Sequence, residues 1–423
     1  MKLHLRALGC RLNQAEIDAM GRAFQRRGHD LTPEPARATH VIVNTCSVTQ
    51  AAGADSRSLV RELARQAPAA RIMVTGCHAQ LAPQELEALP NVVQVVGNRD
   101  KDFIPGLPDW PAAEAPAAPL PTSPTRTRAF IKVQDGCDHA CTFCVTTIAR
   151  GPGRSRPAEH IVTEVRELHA LGYQEVVFCG VQLGSYGRDL GLKHGLQELL
   201  RAVLADTDVP RLRLSSLEPW DLTPEFLALW RDSRLCRHLH LPLQSGCDAT
   251  LRRMRRRCST TDFRALMAAI RERVPQMRIT SDVMVGFPGE CDGEFAASRA
   301  FIEEQDFAGL HVFRYSPRPG TAAARMRDQV SGETKRCRSA ILRALAADMQ
   351  RRHAERARGQ TLDVLWEQVA GATPEGFVNV GYTDTWMRVR ALHPLALVNR
   401  IVPARLGSCA DGYVSATPVL PDP

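Results

Sequence analysis

No run of about 18 apolar residues occurs in the 423-residue chain, which excludes a membrane-spanning helix. The opening residues, Met1-Lys2-Leu3-His4-Leu5-Arg6, lack the apolar stretch and cleavage site of a secretory signal and go straight into a strand-like alternation. Neither sign of charge dominates. Against 46 Asp and Glu stand 54 Lys and Arg, and the resulting +8 is compatible with nucleic acid without demanding it. Collagen-like repeats and global disorder are excluded by a hydrophobic content of 44% and a charged content of 24%. Cysteine, by contrast, is plentiful at 13 residues. Without a membrane or secretion signal the expected location is cytoplasmic, where disulfides are rare. An odd number of cysteines there points to metal or cluster ligands plus buried bystanders. At about 100–200 residues per domain, the length predicts two to four domains.

The chain divides by pattern. Residues 1–104 read as strand–helix–strand–helix–strand: a strand at Leu3–Leu8, an amphipathic helix from Gln14 to Arg27 carrying Ile17, Met20 and Phe24, a strand at Val41–Asn44, a helix from Asp55 to Gln66, and a strand at Arg71–Thr75. That order implies a parallel α/β sheet. Pro105, Pro108, Pro111, Pro116, Pro119, Pro121 and Pro124 then mark a stiff Pro/Ala-rich linker over residues 105–125. From 126 to 358 six candidate strands alternate with helices: Ala129–Gln134, Glu175–Cys179, Arg211–Ser215, His238–Leu243, Arg278–Val285 and Gly309–Tyr315. Such alternation predicts a parallel barrel or partial barrel. Residues 359–423 carry short strands split by Gly, Pro and Asn, the pattern of a small all-β barrel. The fold class is therefore α/β with a small all-β tail.

The strongest local signal is Gly136-Cys137-Asp138-His139-Ala140-Cys141-Thr142-Phe143-Cys144, directly after the first strand of the second unit. Three thiolates on one short loop suit three irons of a [4Fe–4S] cubane and leave the fourth iron open for a small ligand. Zinc would want a fourth Cys or His, and His139 inside the loop is poorly placed to provide it. A second set consists of Cys10, Cys46 and Cys77, each just past one of the three strands of the first unit. In a parallel sheet those ends share one edge, where open α/β sheets hold their ligands. Three buried core cysteines would also be unexceptional. Their matched positions instead predict a second cluster with an open iron.

The Cys-x3-Cys-x2-Cys loop, with Phe143 before the last cysteine, resembles the signature of radical S-adenosylmethionine (SAM) enzymes. Adding Gly9-Cys10-Arg11-Leu12-Asn13, Asn44-Thr45-Cys46, Thr75-Gly76-Cys77, Arg150–Arg156, Leu243-Gln244-Ser245-Gly246, Gly286–Glu290 and Tyr315–Thr321, the whole chain resembles the methylthiotransferases of that superfamily. Its tail is similar to their RNA-binding TRAM domain. The resemblance implies a partial (β/α)6 barrel, two [4Fe–4S] clusters and SAM. It implies SAM contacts at Phe143, Gly180, Gln182, Ser216, Gln244, Val285 and Gly286. Arg150, Arg154 and Arg156, just past the cluster loop, are candidates for phosphate or substrate contact. The resemblance further implies tRNA as substrate, with an electron donor such as flavodoxin or ferredoxin and a sulfur donor as partners. Arg11-Leu12 and the Arg150–Arg156 segment look like the branch that methylthiolates threonylcarbamoyladenosine. The isopentenyladenosine branch and the branch acting on a ribosomal-protein aspartate are the alternatives. A non-catalytic iron–sulfur protein that binds RNA or senses redox state is the alternative of another class.

Weaker signals stay open. The run Arg252, Arg253, Arg255, Arg256 and Arg257 suits either phosphate contact or a solvated helix face. The tail carries only four Arg against six acidic residues, so it is no broad basic patch. Its aromatics Phe377, Tyr382 and Trp386 suit either RNA stacking or barrel core. Cys179, Cys236, Cys247, Cys258, Cys291, Cys337 and Cys409 have no partner spacing and read as bystanders.

Overall fold

The computed structural model describes residues 1–107 and 126–420. Apart from its first three residues, the linker expected over 105–125 lies outside them. The first unit is a five-stranded parallel sheet in the order Asp30–Leu31, Lys2–Ala7, His40–Thr45, Arg71–Gly76, Val92–Val96. The three central strands are those expected. The two edge strands carry no comparable signal, since one has two residues and the other is short and half-exposed. Helix Arg11–Arg26 buries Ile17, Met20 and Phe24 against Leu3 and Ile42. Helix Gln50–Gln66 starts five residues before Asp55 because the Thr49 hydroxyl caps it, accepting the Ala52 N–H at 3.1 Å.

In the second unit the six expected strands form two parallel three-stranded halves. One holds Arg128–Lys132, Glu175–Cys179 and Arg211–Leu214; the other holds His238–His240, Arg278–Val285 and Gly309–Arg314. Isolated bridges Leu212↔Leu235 and Ser216↔His240 join the halves into a partial barrel. The strand from His238 stops at His240 rather than Leu243. Pro242 cannot donate to the ladder, and Gln244 turns the chain with φ +68. Along Arg278–Val285 burial alternates strictly. Ile279, Ser281, Val283 and Val285 are buried, while Arg278, Thr280, Asp282 and Met284 are only half-buried.

Helix Gly332–Arg356 leads into a closed barrel of Thr361–Thr373, Gly376–Thr383, Arg388–His393, Ile401–Ala410 and Tyr413–Pro418, with Trp366 fully buried at its centre. The three units are packed together. Helix Arg11–Arg26 lies against strand Arg128–Lys132, with Leu12 against Val177 and Cys179. The tail barrel docks on the central unit through Arg211 Nη2, which donates to the Asp363 carbonyl at 2.7 Å, and Arg213 Nη1, which donates to the Asp384 carbonyl at 2.9 Å.

Candidate active site

Cys10, Cys46 and Cys77 come together at one sheet edge. Cys10 precedes helix Arg11–Arg26, Cys46 follows strand His40–Thr45, and Cys77 opens helix Cys77–Leu81. The approach is close: a Cβ on Gly9 would stand 2.6 Å from Cys46 Sγ, and Gly9 sits at φ +96, so glycine is required there twice over. Asn13 and Asn98 flank the sulfurs, with Cys10 Sγ 3.8 Å from Asn13 Oδ1 and Asn98 Nδ2 3.8 Å from Cys77 Sγ. Burial pushes the Cys46 thiol up to about 11, and it raises Cys10 as well although Arg150 pulls the other way.

The loop holding Cys137, Cys141 and Cys144 is fixed by its backbone. Gly136 takes φ +72, and any side chain there would run into the Pro152 carbonyl. Cys137 N–H donates to the Gly151 carbonyl at 3.0 Å, and Thr142 Oγ1 donates to the Arg253 carbonyl at 2.9 Å. Burial pushes Cys137 up to about 11 and also raises Cys141, where the Arg256 guanidinium opposes it from 3.9 Å. His139 is no fourth ligand: its Nε2 faces the Gln182 amide and its ring meets Trp220 edge-on.

All six thiols are free. Among the described residues neither triad gathers its three sulfurs within 4.8 Å of one another; His240, Asp282 and His311 are the group that does bring its ligand atoms that close. A single tetrahedral zinc with Zn–S of about 2.3 Å holds its sulfurs about 3.8 Å apart. Both triads are therefore too open for one zinc ion, and their all-thiol donor sets fit a larger iron–sulfur cluster. The protonated thiols give up their protons when a metal binds.

A cavity of about 920 Å³ opens between the three units. Cys10, Cys46, Cys77 and Arg150 line one side, Gly180 and Ser216 the barrel side, and Tyr382 and Trp386 the tail side. Of the other residues expected at SAM, Gln182 Oε1 lies 3.4 Å from Cys137 Sγ, and its N–H donates to Gln134 at 2.9 Å. Phe143 packs against Phe287, next to Gly286, at 6.5 Å between ring centres. Gln244 sits at φ +68, and its N–H donates to the Asp282 carbonyl at 2.8 Å. Val285 is buried at a strand end; Gly286 takes φ +72 and donates to Glu290 at 3.1 Å.

The expected substrate arginines divide. Arg150 is buried, with Nη1 on Glu16 at 2.9 Å and Asp135 at 2.8 Å and Nη2 on Asn13 at 2.7 Å, so both terminal nitrogens are engaged within the protein. It joins the first two units and brings positive charge to the Cys10 side. Arg156 is tied to Glu164 and the Lys132 carbonyl, each at 2.8 Å. Arg154 is exposed. In the arginine run, Arg253 pairs with Glu294 and Arg256 with Glu218, whereas Arg252, Arg255 and Arg257 are exposed. Trp386 is no RNA platform. Its ring stacks on Tyr382 at 4.7 Å under the guanidinium groups of Arg11, Arg128 and Arg213, all within 4.9 Å. Residues without a sequence signal also line the cavity: His238, Arg278, Asp282 and His311, whose role depends on strand register alone.

The model of "Uncharacterized protein family UPF0004" matches residues 2–97, and that of the "Radical SAM superfamily" matches residues 131–302. The chain is 35% identical to the threonylcarbamoyladenosine tRNA methylthiotransferase MtaB of Bacillus subtilis, over 94% of this chain and 92% of that one. It is 35% identical to the ribosomal protein uS12 methylthiotransferase RimO of a Synechococcus species, over 85% of this chain and 82% of that one. Among solved structures, the radical SAM methyltransferase TsrM of Kitasatospora setae superposes with a TM-score of 0.57 at 16% identity, over 88% of this chain and 79% of that one, a likeness of fold. With two free cysteine triads, a partial barrel and these full-length relatives, the chain belongs to the methylthiotransferase family of radical SAM proteins.

Proposed function

We propose that the protein transfers a methylthio group to carbon 2 of N6-threonylcarbamoyladenosine beside the anticodon of tRNA. The observation that carries the reading is the meeting of Cys10, Cys46 and Cys77 on a cavity that also reaches Ser216 and Gly180, the latter close in sequence to Gln182, which touches Cys137. Cys137, Cys141 and Cys144 would hold one [4Fe–4S] cluster and Cys10, Cys46 and Cys77 a second. When bound, the first supplies the electron that cleaves SAM and the second an open iron for sulfur. The protein's own part is positioning and exclusion of water. Gln182 turns its Oε1 to Cys137 and accepts from the thiol, and Arg256 sits against Cys141, where its guanidinium stabilises charge on thiolate. Arg150 does the same electrostatically for the Cys10 side. Gly180, Gln182, Ser216, Gln244, Val285 and Gly286 offer backbone and side-chain groups to SAM, and Phe143 packs behind the loop. Arg154 and the exposed Arg252, Arg255 and Arg257 are the arginines left to meet tRNA phosphates. A low-potential electron carrier and a sulfur donor complete the reaction.

The test is mass analysis of tRNA nucleosides from a deletion strain, with reconstituted protein assayed in parallel on threonylcarbamoyladenosine stem-loop and on uS12 peptide. Loss of methylthio-threonylcarbamoyladenosine, restored by this chain, supports the proposal. Persistence of that nucleoside, or methylthiolation of the peptide instead, refutes it.

A further inference from the structure

Arg278 is half-buried, with two of its guanidinium nitrogens shielded and no counter-ion among the described residues. Its Nη2 donates to the Ala308 carbonyl at 3.2 Å, but Nε and Nη1 are shielded from solvent and have no hydrogen-bond partner. Buried arginines elsewhere have a carboxylate partner: Arg213 has Glu175 at 2.8 Å, Arg150 has Glu16 and Asp135, and Arg338 has Glu290 at 2.7 Å. An unpaired buried guanidinium is costly, commonly by several kcal/mol, so its retention calls for an anion that arrives later. Among the described residues no carboxylate offsets the burial, which pushes the Arg278 pKa down to about 10.

A second unpartnered atom lies beside it. His238 and Arg278 are direct cross-strand partners on neighbouring parallel strands, and both line the cavity shared with Cys10, Cys46 and Cys77. His238 Nε2 lies 3.0 Å from Thr280 Oγ1, which leaves Nδ1 buried with no partner. If the threonine hydroxyl donates to Nε2, Nδ1 carries the hydrogen and becomes a donor. The wall thus presents three unsatisfied nitrogens, two of them on one guanidinium. A carboxylate there would take a charge-assisted hydrogen bond from the guanidinium and a second from the imidazole.

We infer that Arg278, seconded by His238, receives the carboxylate of the threonylcarbamoyl group and so selects this substrate over adenosine carrying an apolar N6 substituent. The inference rests on the proposed function and names the part of the cavity that reads the modification. An isopentenyl group offers nothing to a guanidinium. A threonylcarbamoyl group brings a carboxylate, a hydroxyl and a ureido unit.

The test measures binding of anticodon stem-loops to the cluster-loaded, SAM-bound protein. Three ligands are compared: the threonylcarbamoyl form, its carboxylate methyl ester and the isopentenyl form. Wild type is expected to bind the acid about ten- to 150-fold more tightly than the ester, the range for a charge-assisted hydrogen bond. Arg278→Gln is expected to bind acid and ester alike, with its iron content unchanged. Arg278→Lys keeps the charge without the guanidinium and is expected to show an intermediate preference, which keeps the test open should the Gln variant fold poorly. Equal weakening of acid and ester in both variants would mean a merely structural role and overturn the inference. A wild type that prefers the threonylcarbamoyl form while Arg278→Gln keeps the full acid preference overturns the inference alone. A wild type that prefers the isopentenyl stem-loop overturns the substrate reading with it.

Discussion

Glu16 has no exposed surface and is held by Lys101 Nζ at 2.5 Å, Arg150 Nη1 at 2.9 Å, Lys132 Nζ at 3.6 Å and Asn44 Nδ2 at 2.9 Å. Lys101 and Asn44 belong to the first unit, Lys132 and Arg150 to the second, so one carboxylate ties the two together beside the Cys10 side of the cavity. Burial alone would raise its pKa, but the three cations reverse that and hold it well below the usual carboxylate range. Glu16→Gln leaves three buried cations short of an anion and is expected to destabilise by about 3–5 kcal/mol, read from the urea unfolding midpoint. The sign with pH follows. A depressed carboxylate contributes stability above its unfolded value of about 4.3 and loses it as pH falls toward the folded one. The gap between wild type and Glu16→Gln should therefore hold at pH 5–7 and shrink in stronger acid. Cys10, Asn13 and Cys77 stood out in the sequence because they sit in short motifs. Glu16 and Arg278 did not, because their meaning comes from partners, or missing partners, far away in the chain.

At the scale of elements, the acidic tail finds its reason. Sequence left a supposed RNA-binding barrel with more acidic than basic residues. Two of those acids face the central unit: Asp384 Oδ2 pairs with Arg237 at 2.6 Å, and Glu367 Oε1 with Arg128 at 2.8 Å. They serve docking, and so does Trp386, held at φ +67 beneath three guanidinium groups. Each such cation–π contact contributes about 0.5–2 kcal/mol. Trp386→Ala should loosen the tail barrel and speed tryptic cleavage at Arg358, next to Gly359 between helix and barrel. Unchanged cleavage would remove Trp386 from the docking role. The strands themselves were legible, since Glu175–Cys179 and Arg278–Val285 appear as expected. Their ends were less so, because caps such as Thr49 and breaks such as Pro242 set them.

For the whole molecule, the pattern of strands and cysteines in the sequence already pointed to three units around two triads. It could not show that the units close on one cavity, because the packing of Leu12 on Val177 and of Trp386 against Arg213 joins segments far apart in sequence. On this reading each of the two separate triads holds a cluster, the Cys10 side lining that cavity, and iron counting tests it most directly. Anaerobically reconstituted wild type should carry about eight irons, four per cubane. The variant with Cys10, Cys46 and Cys77 changed to Ala should carry about four, as should the variant with Cys137, Cys141 and Cys144 changed. Wild-type protein with only about four irons, unchanged by loss of Cys10, Cys46 and Cys77, would contradict the account.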